Sequence, residues 1–151
     1  LSAGIHDATG HCVWMGAFLL IAAIENDRLK EVLRGARVIE LGCGTGIGGI
    51  ALLLAGESSA PSFLSFTDAD PNALALCKRN CESNLDKCQY QVEEVAWGAP
   101  FPPSISPNSF DAVVAADVLY DIGVLSILFT TAKNCLTNVG RFVLVHVPRG
   151  K

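Results

Sequence analysis

The sequence predicts an α/β fold, a doubly wound parallel sheet with helices on both faces. Three observations carry that expectation. Strand-like runs recur near residues 38, 64, 90, 112 and 143, mostly separated by helical spacing, which is the βαβ repeat that builds a parallel sheet. The stretch Phe110-Asp111-Ala112-Val113-Val114-Ala115-Ala116 is apolar without a break after Asp111, as in a strand covered on both sides. Residues 37–49 read as strand, glycine loop, helix: Val38-Ile39-Glu40-Leu41, glycines at 42, 44 and 46, then an apolar run from Ile47.

Taken in order, residues 1–12 are a polar lead-in. An apolar helix opens at Val13–Ala17 and runs to about Asn26, with Trp14, Ala17, Phe18, Ile21 and Ile24 at helical spacing. The charged segment 27–34 continues as turn or helix until Gly35 ends it. The first strand covers 37–41 and the next helix 47–55. Phe63–Thr67 is the second strand, with Asp68 at its tip. Asp70-Pro71 starts a helix, Asp as N-cap and Pro at the first helical position. Leu74, Cys77, Cys81 and Leu85 form its inner face. Cys88, Tyr90 and Val92 alternate with Gln89, Gln91 and Glu93, the period of a half-exposed edge strand. Trp97-Gly98 closes it, and 99–109, with prolines at 100, 102, 103 and 107, is a loop. After the fourth strand and Asp117, a helix runs to about Asn138, facing inward with Leu125, Leu128, Ala132, Cys135 and Leu136. Arg141–Val147 is the fifth strand.

Composition narrows the class. The 151 residues are 50% hydrophobic, enough for one domain over 1–151 with its own core; the leading Leu1 reads as a piece of a longer protein. The strongly apolar run near 13–24 is too short to span a bilayer. Net charge is −4 with eleven scattered basic residues, which argues against a nucleic-acid partner. Six cysteines without a C-x-x-C pair fit a reducing, cytoplasmic setting. Cys77 and Cys81, one helical turn apart, read as buried small residues and not as metal ligands with His6 or His11, so no metal is expected. His146, on an apolar strand, reads as a core histidine.

The glycine loop with the helix start behind it is a nucleotide-cofactor site. Gly44 to Gly49 also fits the dinucleotide pattern G-x-G-x-x-G, with Asp68 where a ribose-binding acid is expected. Charge points elsewhere. Glu40 stands directly before the loop, where it would repel a pyrophosphate, and no Lys or Arg occurs between Arg37 and Lys78. A sulfonium and an α-ammonium suit that field, which favours S-adenosylmethionine over NAD. Glu40, the glycines, Asp68, Trp97 and Asp117 all fall just past strand ends, the rim where such sheets bind ligands.

Four stretches carry a family likeness: residues 9–17 (Thr-Gly-His-Cys-Val-Trp-Met-Gly-Ala), 38–46 (Val-Ile-Glu-Leu-Gly-Cys-Gly-Thr-Gly), 67–71 (Thr-Asp-Ala-Asp-Pro) and 115–121 (Ala-Ala-Asp-Val-Leu-Tyr-Asp). The chain resembles the class I, seven-strand S-adenosylmethionine-dependent methyltransferases, and more narrowly the family 16 protein lysine methyltransferases. The resemblance implies a Rossmann-like fold, S-adenosyl-L-methionine as cofactor, S-adenosyl-L-homocysteine as product, and a lysine of a protein substrate as acceptor. It implies that Glu40 and the backbone around Gly42, Gly44 and Gly46 hold the methionine part. Asp68 would bridge the ribose hydroxyls, Trp97 would lie beside the adenine, and Trp14 would pack on the cofactor. Ala116 would line the pocket near the methyl group, and Asp117 and Tyr120 would receive the amine. The chain departs from the family at Ala96, where an acid usually precedes the Trp, so that role passes to Glu93 or Glu94 or is absent. The antiparallel pair that usually follows the fifth strand is missing. Methyl acceptors other than protein, and a non-catalytic binding module, stand as the rival readings.

Overall fold

The computed structural model describes residue 10 and residues 12–24, 26–119 and 121–148. Five strands form one parallel sheet: β1 (Arg37–Leu41), β2 (Phe63–Asp68), β3 (Tyr90–Glu94), β4 (Phe110–Ala116) and β5 (Leu136–Val145). Their order is β3-β2-β1-β4-β5. The chain therefore runs outward from β1 to β3, then crosses back to place β4 on the other side of β1. That reversal opens a crevice at the carboxyl ends of β1 and β4, where sheets of this kind bind ligands.

Strand alternation sorts the core into two layers. Val38, Leu64, Phe66, Ala112 and Val114 point to one face. There they meet α1 (Met15–Ala23), α2 (Asp27–Leu33), α3 (Ile47–Leu53) and α4 (Pro71–Asn84). Ile39, Leu41, Val113 and Ala115 point to the other, against Leu128, Ala132 and Cys135 of α5 (Leu125–Cys135) and against Val95 and Ile105 of the loops. At the amino-terminal rim Arg37 lies over the rings of Phe63 and Phe110, 4.8 and 5.8 Å from their centroids. Its N–H donates to Asp111 Oδ2 at 2.9 Å. Ring face and guanidinium attract, so the strands are clamped away from the ligand rim.

Several element ends follow local chemistry. Asp70 caps α4 by accepting from the Asn72 N–H at 2.8 Å, with Pro71 at the first helical position. The Cys77 and Cys81 side chains are fully buried on the inner face of α4, 3.9 Å apart. Contact with Cys43 first, and burial next, holds the Cys77 thiol above its usual range.

Three expectations need correction. The inner face of α1 is Gly16, Leu20 and Ile24, while Phe18 is exposed. The segment Met-Gly-Ala-Phe-Leu-Leu-Ile-Ala-Ala is apolar all round, so its spacing carries no information about which face turns inward. α5 ends at Cys135 and not near Asn138, because Leu136 pairs with Phe110 and β5 begins there, with a bulge before Arg141. His146 is not a core residue: it stands half-buried just past β5.

Candidate functional site

At the switch between β1 and β4 lies a cavity of about 500 Å³. It is walled by the strand tips, the glycine loop and the start of α1. Of the residues singled out from the sequence, Trp14, Glu40, Gly42, Gly44, Asp68, Trp97, Ala116 and Asp117 line it. Gly46 stands behind the wall, and Tyr120 lies outside the described residues.

The loop after β1 takes its shape from its glycines. Gly42, Gly44 and Gly46 all have positive φ, at 73°, 51° and 79°, a region costly for other residues. Gly46 caps α3, and a Cβ there would meet Cys77 Sγ at 2.5 Å. Its part in the site is therefore indirect. The Gly42 and Cys43 N–H groups both donate to the Thr67 carbonyl at 2.9 Å, tying the loop to the tip of β2.

Asp68 closes the loop from the other side. Its Oδ2 accepts from the Gly44 N–H at 2.9 Å and its Oδ1 from the Asp70 N–H at 3.0 Å. Each carboxylate oxygen keeps a further acceptor position for a ligand hydroxyl. Trp97 is half-buried, near Gly42 and Val118. The position before it, Ala96, lines the cavity, whereas neither Glu93 nor Glu94 does.

Glu40 is the electrostatic centre. Its side chain is buried, and Oε2 accepts from the Gly49 N–H at 3.2 Å. Burial pushes its carboxyl up to about 8, against the lowering effect of the Gly49 hydrogen bond and with a further rise from Asp68. A carboxyl so placed gains when a cation arrives, because opposite charge restores the ionised form. The glycines at 48 and 49 make this approach possible: a Cβ would come within 2.8 and 2.6 Å of the Glu40 carboxylate oxygens.

Asp117 sits just past β4 with φ of 58°, rare for a residue other than glycine. Its N–H donates to the Val145 carbonyl at 2.8 Å, and its Oδ2 accepts from the Gly16 N–H at 3.3 Å. A Cβ on Gly16 would lie 2.6 Å from the Asp117 Cβ. This close approach fixes how α1 is rotated on the sheet. It also links Trp-Met-Gly-Ala (14–17) physically to Ala-Ala-Asp-Val (115–118).

Sequence reasoning did not single out Val13, Thr45, Ile47, Asp70, Val118 or Ile127, which also line the cavity. Asp70, two residues beyond the β2 tip, counts in the sequence among the acids between Arg37 and Lys78 and as the cap of α4, without being assigned to the site. The apolar members carried no signal, since nothing in an apolar residue type separates a cavity wall from a core.

Comparison with known proteins defines the class first. The solved S-adenosylmethionine-dependent methyltransferase from Mesorhizobium loti superposes with a TM-score of 0.58 at 24% identity, over 83% of this chain and 54% of that one. That likeness establishes the fold. The chain itself belongs to the lysine methyltransferase family, whose sequence profile matches residues 2–151. It is 36% identical over 111 residues to the mouse protein N-lysine methyltransferase METTL21A, covering 72% of this chain and 47% of the relative. It is 34% identical over 109 residues to the EEF1A lysine methyltransferase 3 of Xenopus tropicalis, covering 72% and 44%. The chain thus spans about half the length of these relatives.

Proposed function

We propose that residues 1–151 form one S-adenosylmethionine-binding domain that transfers methyl to a lysine side chain of a protein. One observation carries the cofactor choice. Glu40, Asp68, Asp70 and Asp117 line the cavity, and no Lys or Arg does among the described residues. A pyrophosphate meets repulsion there, whereas a sulfonium with an α-ammonium meets attraction. The protein-lysine acceptor draws its support from the family and from the names its relatives carry. The same reading takes over the cytoplasmic setting expected from the cysteine usage of the sequence; all six cysteines are free, and no described helix is long and apolar enough to cross a membrane.

The residues present fit the group. Glu40 and the backbone at Gly42 and Gly44 would hold the methionine end, Asp68 the ribose, and Trp14 and Trp97 the flat or apolar parts. When bound, S-adenosylmethionine supplies a methyl already activated by its sulfonium and leaves as S-adenosylhomocysteine. The protein's own task is then alignment, which is worth roughly 7–11 kcal/mol when reacting atoms are held at attack distance. A free lysine amine has pKa about 10.4, so the acceptor arrives as ammonium. Asp117, held by Gly16 and by β5, attracts and orients that cation at the cavity wall. Loss of the ammonium's proton before attack would be favoured by a drier site and by the sulfonium of a bound cofactor. The Asp117 carboxylate favours keeping that proton, so Asp117 orients the amine more than it acts as a base. Tyr120 would flank the amine beside Asp117.

A radiolabelled methyl assay on cell lysate tests the reading. Label should enter protein and not RNA, and Asp117→Ala should reduce the rate by about 100-fold or more while leaving cofactor affinity within a few-fold. Label in RNA, or equal rates for the variant, would overturn it.

A further inference from the structure

We propose that His146 is a positioning residue for Asp117, holding its carboxylate through an Nδ1–H···Oδ1 hydrogen bond and making amine capture dependent on pH. The kinetic part rests on the methyl-transfer reading above; the contact itself does not.

The two residues leave adjacent strands at the same level. Ala116 pairs with Val145, and the Asp117 N–H donates to the Val145 carbonyl at 2.8 Å, so Asp117 and His146 emerge side by side. His146 Nδ1 faces Asp117 Oδ1 at 3.6 Å. Both atoms are buried, although the His146 side chain as a whole is 31% exposed. The separation is a few tenths of an ångström beyond a hydrogen bond, within reach of a small side-chain rotation. The tautomer decides the sign of the contact. With the proton on Nε2, two lone pairs would face each other away from water, which is costly. With the proton on Nδ1 the contact is attractive and charge-assisted. Asp117 Oδ2 is already engaged by the Gly16 N–H on the α1 side. A donor at Oδ1 therefore fixes the carboxylate plane from two directions.

Among the described residues, the titratable side chains around Asp117 come from the cavity side and from the end of β5. α1 brings no ionisable side chain over Met15–Ala23. The cavity side brings Glu40, Asp68 and Asp70. After Val145, the described residues of β5's end bring only His146. Imidazoles gain charge as pH falls through the near-neutral range. An imidazolium beside Asp117 cancels part of the field that attracts a lysine ammonium. Amine capture then weakens in acid more than the chemistry of the amine alone requires.

The test is nitrogen NMR of histidine-labelled protein, without cofactor or substrate. Of His6, His11 and His146, the last is assigned as the signal missing in His146→Asn. Neutral His146 should be the Nδ1–H tautomer and should revert to Nε2–H in Asp117→Ala. An Nε2–H tautomer in the unmodified chain overturns the contact, whether or not the Asp117 variant folds. Lysate labelling tests the second clause. His146→Asn places an amide donor where Nδ1 stood but does not titrate. The ratio of the wild-type rate to that of His146→Asn should fall about five-fold from pH 8 to pH 6, the size of effect that about 1 kcal/mol of unit-charge interaction in water gives. An unchanged ratio overturns the pH dependence. If the unmodified chain labels nothing, the methyl-transfer reading fails and the NMR still judges the contact.

Discussion

Glu40 shows what a single residue does when a strand tip buries it. Its carboxyl is raised to about 8, chiefly by desolvation. The folded state then keeps a proton that the unfolded chain releases near pH 4.5, so this group's contribution to stability falls as pH rises from about 4.5 and levels off above 8. Glu40→Gln keeps an acceptor for the Gly49 N–H and removes the titration. Urea midpoints at pH 5 and pH 8 should show wild type losing a few kcal/mol more than the variant. Parallel curves would mean that Glu40 is ionised throughout. The residue was visible in the sequence as an acid before a glycine loop, but its burial was not. Burial comes from Gly48 and Gly49, whose missing side chains let helix and carboxylate meet, and the sequence presents them only as two more glycines in a glycine-rich stretch. Tyr120 is the counterexample: its motif was legible, yet it lies outside the described residues, so its role rests on the family pattern alone.

At the scale of elements, α3 sets two effects against each other. Gly49 in a helix interior gives up about 1 kcal/mol of propensity relative to alanine. A Cβ there would lie 2.5 Å from Phe66 and 2.6 Å from Glu40, and overpacking of a tight core costs about 1–3 kcal/mol. The second effect is the larger. Gly49→Ala should therefore lower stability by up to about 2 kcal/mol in chemical denaturation, and a stabilised variant would show that the helix can shift away from β1. Strands β1, β2 and β4 were readable because their residue types and breaks coincide with their ends. α4 was readable because Asp70 and Pro71 mark its start. The rotation of α1 was not, since a helix apolar on every side has no inner face until a contact chooses one. Gly16 against Asp117 is that contact. The end of α5 was misplaced for a related reason: a tertiary pairing, Leu136 with Phe110, stops the helix while its helical spacing continues.

At the scale of the molecule, parallel topology follows from the βαβ rhythm, and the order β3-β2-β1-β4-β5 of the described strands puts a reversal beside the glycine loop. Charge completes the site. The acids at 40, 68 and 117 are far apart in the chain yet come from the tips of three neighbouring strands, and the clamp of Arg37 with Phe63 and Phe110 keeps positive charge at the opposite rim. That separation of charge makes the cavity selective for a cation. Titration calorimetry with S-adenosylmethionine and with NADH, each at pH 6.5 and 8.5, tests this most directly. S-adenosylmethionine should bind, more tightly at the higher pH and with proton release near neutrality as Glu40 ionises, while NADH gives no heat of binding. Uptake of NADH without S-adenosylmethionine, or an affinity for S-adenosylmethionine that weakens as pH rises, would contradict the account.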